Sequence, residues 1–138
     1  VAQIYPRCIG CRYCMAACPY SVKVFNWSDP RWSAETRSIL NPDVSLRPKG
    51  VVEKCTFCHH RLQAAKEVAR AEQRPLREAD YQPACVQSCP ADAMTFGDLD
   101  DEFSPVSQLR RSARAMRPQE HLGTEPKVYY LQRRDAHV

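Results

Sequence analysis

The spacing of eight cysteines constrains this 138-residue chain more than any other feature. Cys8, Cys11, Cys14 and Cys18 are separated by two, two and three residues, and Pro19 follows at once. A second group runs Cys55-x2-Cys58, then 26 residues, then Cys85-x3-Cys89-Pro90. It reads as the first group with a helix inserted between its second and third thiols. Each group ends in Cys-Pro followed by a strand candidate, which predicts two related sites in one fold. A chain of this length makes one domain, or a small domain plus a tail. Its mean hydropathy of −0.55 and 11 prolines point to a loop-rich chain with a modest core. Such chains recruit a covalent or metal staple.

Three kinds of staple compete. Disulfide frameworks spread their cysteines along the chain, whereas these thiols crowd toward one point. Zinc accepts Cys-x2-Cys pairs, but three thiols at two-residue spacing with a fourth after three suit it poorly. An iron–sulfur cubane needs three neighbouring irons ligated from one tight loop. Residues 8–19 match the run C-x2-C-x2-C-x3-C-P at every position. In two-cluster proteins with this run, the fourth cysteine ligates the other cluster. Cys18 is therefore expected to face the neighbouring cluster, so that this stretch links two clusters and fixes their separation.

The flanking residues suit that chemistry. Gly10 permits positive φ and close backbone approach. Pro19 and Pro90 turn the chain away after each last thiol. Ile9, Met15, Ala84 and Val86 are candidates for an apolar shell. Arg12, Lys23 and Lys54 are candidates for charge tuning, with a solvated surface cation as the competing reading. His59-His60 fits a helix start better than a metal site, and Trp27 and Trp32 fit packing or an interface. No Ser/His/Asp set, carboxylate pair or phosphate loop is present, so no substrate site of the chain's own is expected. The net charge of +4 falls mainly within residues 1–60, without the like-charge runs that nucleic acid would ask for. No apolar run approaches the roughly eighteen residues of a membrane span, and no signal peptide is visible. A start at Val1 reads as a processed, truncated or partial chain.

Strands are expected at 2–5, 21–27, 93–97 and 126–131, and a long loop at 28–50. Helices are expected at about 59–73, with Leu62, Ala65 and Ala69 on one face, and from Ser104-Pro105 to about Met116. The reading is an α+β, ferredoxin-like two-cluster fold with short strands, an inserted helix and a C-terminal extension. Residues 1–97 form the iron–sulfur domain, and residues 98–138, which lack cysteine, form a docking extension.

The stretches "CIGCRYCMAACPY", "NPDV" with "KGVVEKCTFC", and "ACVQSCPADAMTFGDL" carry a specific resemblance. They resemble iron–sulfur subunits of membrane quinone-linked oxidoreductases related to the dimethyl sulfoxide reductase family. Polysulfide reductase, formate-dependent nitrite reductase, quinone reductase complexes and alternative complex III share the pattern. The resemblance runs from about residue 4 to residue 131. It implies an electron-transfer subunit that relays single electrons between 4Fe-4S clusters, two of them centred on this chain. The implied partners are a quinone-reactive membrane subunit and a molybdopterin-type or haem subunit, with no nucleic acid. It also implies membrane association through those partners, on the extracytoplasmic (periplasmic) face. Two departures stand out. Family subunits carry four cysteine groups, and this chain matches the last two, as a fragment would. Alternative complex III subunits tend to have Thr where this chain has Cys11. If the chain is autonomous, Cys8, Cys11, Cys14 and Cys89 hold one cluster, and Cys55, Cys58, Cys85 and Cys18 the other. As the second half of a four-cluster subunit, each group takes its fourth ligand from the other half. A free two-cluster ferredoxin and a zinc-stabilised interaction module are the alternative functions.

Overall fold

The computed structural model describes residues 3–133 and divides into two compact units, Val1–Ala64 and Ala65–Val138. It is α+β, with short helices and two short antiparallel strand pairs.

In the first unit, a 3-10 turn at Tyr5–Arg7 leads into the first cysteine group, and α1 spans Tyr13–Ala16. β1 (Val24–Phe25) pairs with β2 (Val52–Glu53), placing Val24 opposite Glu53 and Phe25 opposite Val52. Two further bonds lengthen the ladder: Asn26 N–H donates to Val51 O at 2.9 Å, and Gly50 N–H to Asn26 O at 2.8 Å. Val51 and Val52 are adjacent and both buried, so the chain is covered on both faces where it enters β2. The excursion between the strands contains α2 (Ala34–Ser38), whose N-cap Ser33 accepts from Thr36 N–H. Its base is tied where Lys49 N–H donates to Asp29 Oδ1 at 2.8 Å.

α3 (His59–Ala71) follows the second cysteine pair and buries Ala69. In the second unit a 3-10 turn at Glu78–Asp80 precedes α4 (Ala84–Gln87), which begins after the buried Pro83. α5 (Pro105–Arg110) starts on Ser104, as its sequence signals require. β3 (Ala115–Met116) and β4 (Tyr130–Leu131) close a second ribbon, with Ala115 opposite Leu131.

Several elements differ from expectation. Ala2 lies outside the described residues, and residues 3–5 form no strand, because Pro6 sets a helical φ and Arg7 N–H turns back to Ile4 O. The strand at 21–27 shrinks to two residues, since Ser21 has a φ of 51°. Residues 93–97 form no strand: Asp98 N–H and Gly97 pack on the Glu78 carboxylate instead of on a strand partner. The last helix stops at Arg110, because Ala115 and Met116 pair with β4. The 28–50 stretch, expected as a loop, holds the single helical turn of α2.

Candidate metal centre

The two cysteine groups repeat in backbone as well as in spacing. Cys14 is the second residue of α1, and Cys85 is the second residue of α4. The closing thiol of each group lies two residues past its helix. Cys18 N–H donates to Met15 O at 3.3 Å, and Cys89 N–H to Val86 O at 3.2 Å. A second turn follows, where Ser21 N–H bonds Cys18 O and Asp92 N–H bonds Cys89 O, at 3.3 and 3.2 Å. Ser21 and Asp92, three residues past the thiol in each case, are left-handed, with φ 51° and 46°. Gly10 and Phe57 correspond in the same way. Each stands two residues after its opening thiol, with φ 75° and 52°. A bulky residue rarely adopts such a φ, so the turn is imposed by the loop and not by glycine's freedom.

Backbone amides, from β2 as well as from these turns, are aimed at sulfur. Val52 N–H donates to Cys8 Sγ at 3.3 Å, and Phe57 N–H to Cys55 Sγ at 3.4 Å. Ala93 N–H donates to Cys89 Sγ at 3.4 Å. The Val52 bond joins the first cysteine group to the strand that feeds Cys55 and Cys58. The Cys18 thiol is held below its usual range by the Val22 and Tyr20 amides, with smaller help from the Ser21 amide and the Lys23 ammonium.

This donor set fits an iron–sulfur group. All eight cysteines are free thiols, each exposed or half-buried. Iron takes them as thiolates, and amide donors on the sulfurs favour the more negative, reduced state. Among the described residues, no three His, Cys, Asp or Glu side chains close on a point that a single metal ion would occupy. A cubane asks for something different, because each thiolate goes to its own iron.

The flanking candidates divide. Met15, Ala84 and Val86 are half-buried, as a shell requires, but Ile9 is 89% exposed. Lys23 Nζ donates to Gln3 Oε1 at 2.7 Å, and Lys54 Nζ to Cys55 O at 3.3 Å. His59 opens α3, its Nε2 lying 3.2 Å from Gln63 Nε2. Arg12 lies over the rings of Phe25 and Trp27. Sequence reasoning missed the amides of Val52 and Ala93, because nothing in a side chain marks its own N–H. Trp27, expected in packing or an interface, is 67% exposed and lies against the Arg12 guanidinium, a contact its sequence position does not mark.

The 4Fe-4S dicluster domain family matches residues 7–94, a span that contains all eight cysteines. The iron-sulfur cluster-binding subunit of menaquinone reductase from Nitratidesulfovibrio vulgaris is 54% identical, over 98% of this chain and 54% of that subunit. The iron-sulfur subunit of a putative dimethyl sulfoxide reductase from Halobacterium salinarum is 46% identical, over 92% of this chain and 42% of its own length. An iron-sulfur subunit of the Hdr-like menaquinol oxidoreductase from Archaeoglobus fulgidus is 42% identical, over 90% and 43% respectively. The chain thus spans about half the length of the curated relatives it matches. The repeated cysteine turns and this match agree with a complement of two 4Fe-4S clusters, and the protein belongs to the 4Fe-4S dicluster domain family.

Proposed function

We propose that this chain is an electron-transfer subunit of a membrane-bound, quinone-linked respiratory oxidoreductase, passing single electrons along its 4Fe-4S clusters. The observation that supports it most is the twice-repeated cysteine turn with amides on sulfur, found in a chain whose relatives are named as iron-sulfur subunits of a menaquinone reductase and of an Hdr-like menaquinol oxidoreductase. Bound clusters supply one-electron redox chemistry. The residues supply the rest. Cys8, Cys11 and Cys14 take three corners of one cubane, and Cys55, Cys58 and Cys85 three corners of the other. Cys18 and Cys89 each reach a cluster other than the one their own group carries. The fold is ferredoxin-like, with α3 as its inserted helix. Residues 1–97 carry the clusters, and residues 98–138 dock on neighbouring subunits. The chain has no substrate site of its own. Its partners are a quinone-reactive membrane subunit and a molybdopterin-type or haem subunit. Among the described residues, no helix is long and apolar enough to cross a membrane. We place attachment on the partners, at the extracytoplasmic face.

Low-temperature EPR with iron and sulfide analysis of the purified complex tests the reading. Signals of two 4Fe-4S clusters assignable to this chain are expected, and zinc in place of iron would overturn it. In Cys18→Ser, the cluster not carried by Cys8, Cys11 and Cys14 is expected to lose its signal or convert. Loss of iron from the Cys8, Cys11 and Cys14 cluster would instead overturn the ligand assignment.

A further inference from the structure

We propose that Arg12 is a fixed cation that raises the reduction potential of the cluster held by Cys8, Cys11 and Cys14, with Phe25 and Trp27 as the positioning residues that hold its guanidinium. The proposal rests on the cluster assignment given above. Arg12 stands directly after Cys11 and two residues before Cys14. Its backbone is left-handed, φ 61°, ψ 0°, where it caps α1. That conformation is unusual for arginine, so the loop places it there. Its guanidinium carbon lies 5.3 Å from the Phe25 ring centroid and 5.0 Å from that of Trp27. The two rings meet edge to face, with centroids 4.7 Å apart. Phe25 Cε2 sits 3.5 Å from the place a Gly10 Cβ would occupy, so the ring rests on the loop between Cys8 and Cys11. Phe25 is also the ladder partner of Val52, whose amide donates to Cys8 Sγ. Cation, rings, cysteine loop and amide therefore form one contiguous assembly within the first unit.

The kind of partner matters. A carboxylate would fix the guanidinium and cancel its charge, whereas aromatic faces fix it and leave the charge whole. Among the described residues, Arg12 is stacked on rings and paired with no carboxylate. One-electron reduction adds a negative charge to the cluster, which a nearby fixed cation stabilises. A unit charge about 10 Å away, at an effective dielectric constant of about 20, shifts such an equilibrium roughly tenfold. Arg12 is exposed, so solvent and salt reduce this to about three- to tenfold. At 59 mV per decade for a one-electron couple, that is roughly 30–60 mV.

The test is an EPR-monitored redox titration of the intact complex, with iron content measured on each variant. Arg12→Asn removes the charge and keeps a residue that tolerates left-handed backbone. It is expected to lower one of the two midpoints by roughly 30–60 mV at unchanged iron content, and to leave the other midpoint in place. Arg12→Lys keeps the charge and is expected to shift that midpoint much less. Trp27→Leu frees the guanidinium and is expected to shift the same midpoint the same way by a smaller amount, with a stronger dependence on salt. Unmoved midpoints, equal shifts in Arg12→Asn and Arg12→Lys, or loss of iron from Arg12→Asn would each overturn the proposal. The last would mark Arg12 as a residue that holds the loop. A wild-type complex without 4Fe-4S signals from this chain would overturn the functional reading itself, which is a separate result.

Discussion

Two glycines with the same backbone conformation do different jobs. Gly10 has φ +75°, and a Cβ there would stand 2.5 Å from the carbonyl oxygen of Gly50. Gly50 has φ +88°, but a Cβ there would meet nothing within 4 Å. Alanine at either position takes on left-handed strain of about 1–2 kcal/mol. At Gly10 it also collides with backbone that cannot swing away. Gly10→Ala is therefore expected to lower both the melting temperature and the iron content of the purified protein clearly more than Gly50→Ala does, as thermal melts with iron assays will read. Gly10 was legible in the sequence as a point of close approach beside the thiols. The backbone that approaches it belongs to Gly50, forty residues on, and becomes a neighbour through the β1–β2 ladder.

Helix starts in this chain follow local chemistry, and helix ends follow what comes next. α5 begins at Ser104-Pro105 as its residues dictate, and both of its serines are buried. Ser104 Oγ accepts from Ser107 N–H at 3.2 Å and donates to Asp98 O at 2.6 Å, while Ser107 Oγ donates to Leu99 O at 3.0 Å. Ser104→Ala removes the cap and leaves buried groups short of a partner. A loss of about 1–2 kcal/mol is expected in denaturant unfolding. The end of α3 is secured differently. Arg74 grips Asp80 through Nη1 at 2.5 Å and Nη2 at 3.0 Å, and reaches Glu72 through Nε. Hydrogen bonds from Arg74, then from the Arg77 amide, hold the Asp80 carboxyl below its usual range. A carboxyl depressed in the folded state stabilises the fold above its unfolded value, near about 3.9, and that contribution fades as pH falls through the lower folded value. Asp80→Asn is expected to flatten the acid limb of a stability–pH curve below about pH 4. The contribution that fades in acid is the one present at neutral pH, so Asp80→Asn is expected to be less stable than wild type there and to converge on it as pH falls.

At the scale of the whole molecule, little apolar surface is shut away. Among the described residues, the buried apolar side chains are Val51, Val52, Ala69 and Pro83. A chain with so small a core leans on its metal–thiolate bonds. The proposed docking extension has two parts. Its first residues are fastened to the 78–97 segment, where Asp98 N–H bonds Glu78 Oε1 at 3.2 Å and Val106 packs on Gly97. Beyond α5, the β3–β4 ribbon leaves Met116, Tyr130 and Leu131 exposed. Truncation after Arg111 keeps α5 and removes the ribbon. It is expected to leave iron content near that of the full chain while weakening recovery of partner subunits in a pull-down. Loss of both clusters in that truncation would place the ribbon in the cluster fold.

The sequence by itself determined the chemistry. Thiol spacing is a local property, and two-residue spacers before a Cys-Pro point to the same kind of metal loop whatever the surroundings. The helix at 59–71 and the cap at Ser104 were equally local, since helix formers, N-caps and prolines act within a few residues. Tertiary structure decided what depends on distant partners. Strands two residues long carry almost no periodic signal; the segments at 2–5 and 93–97 read as strands, yet among the described residues 3–5 and 93–97 found no ladder. Met116 read as helix and became strand once Tyr130 lay opposite it. The amide of Val52 on Cys8 and the rings of Phe25 and Trp27 under Arg12 also arise only when β1 meets β2, because hydrogen bonds and ring stacking depend on approach through space and leave no spacing to read.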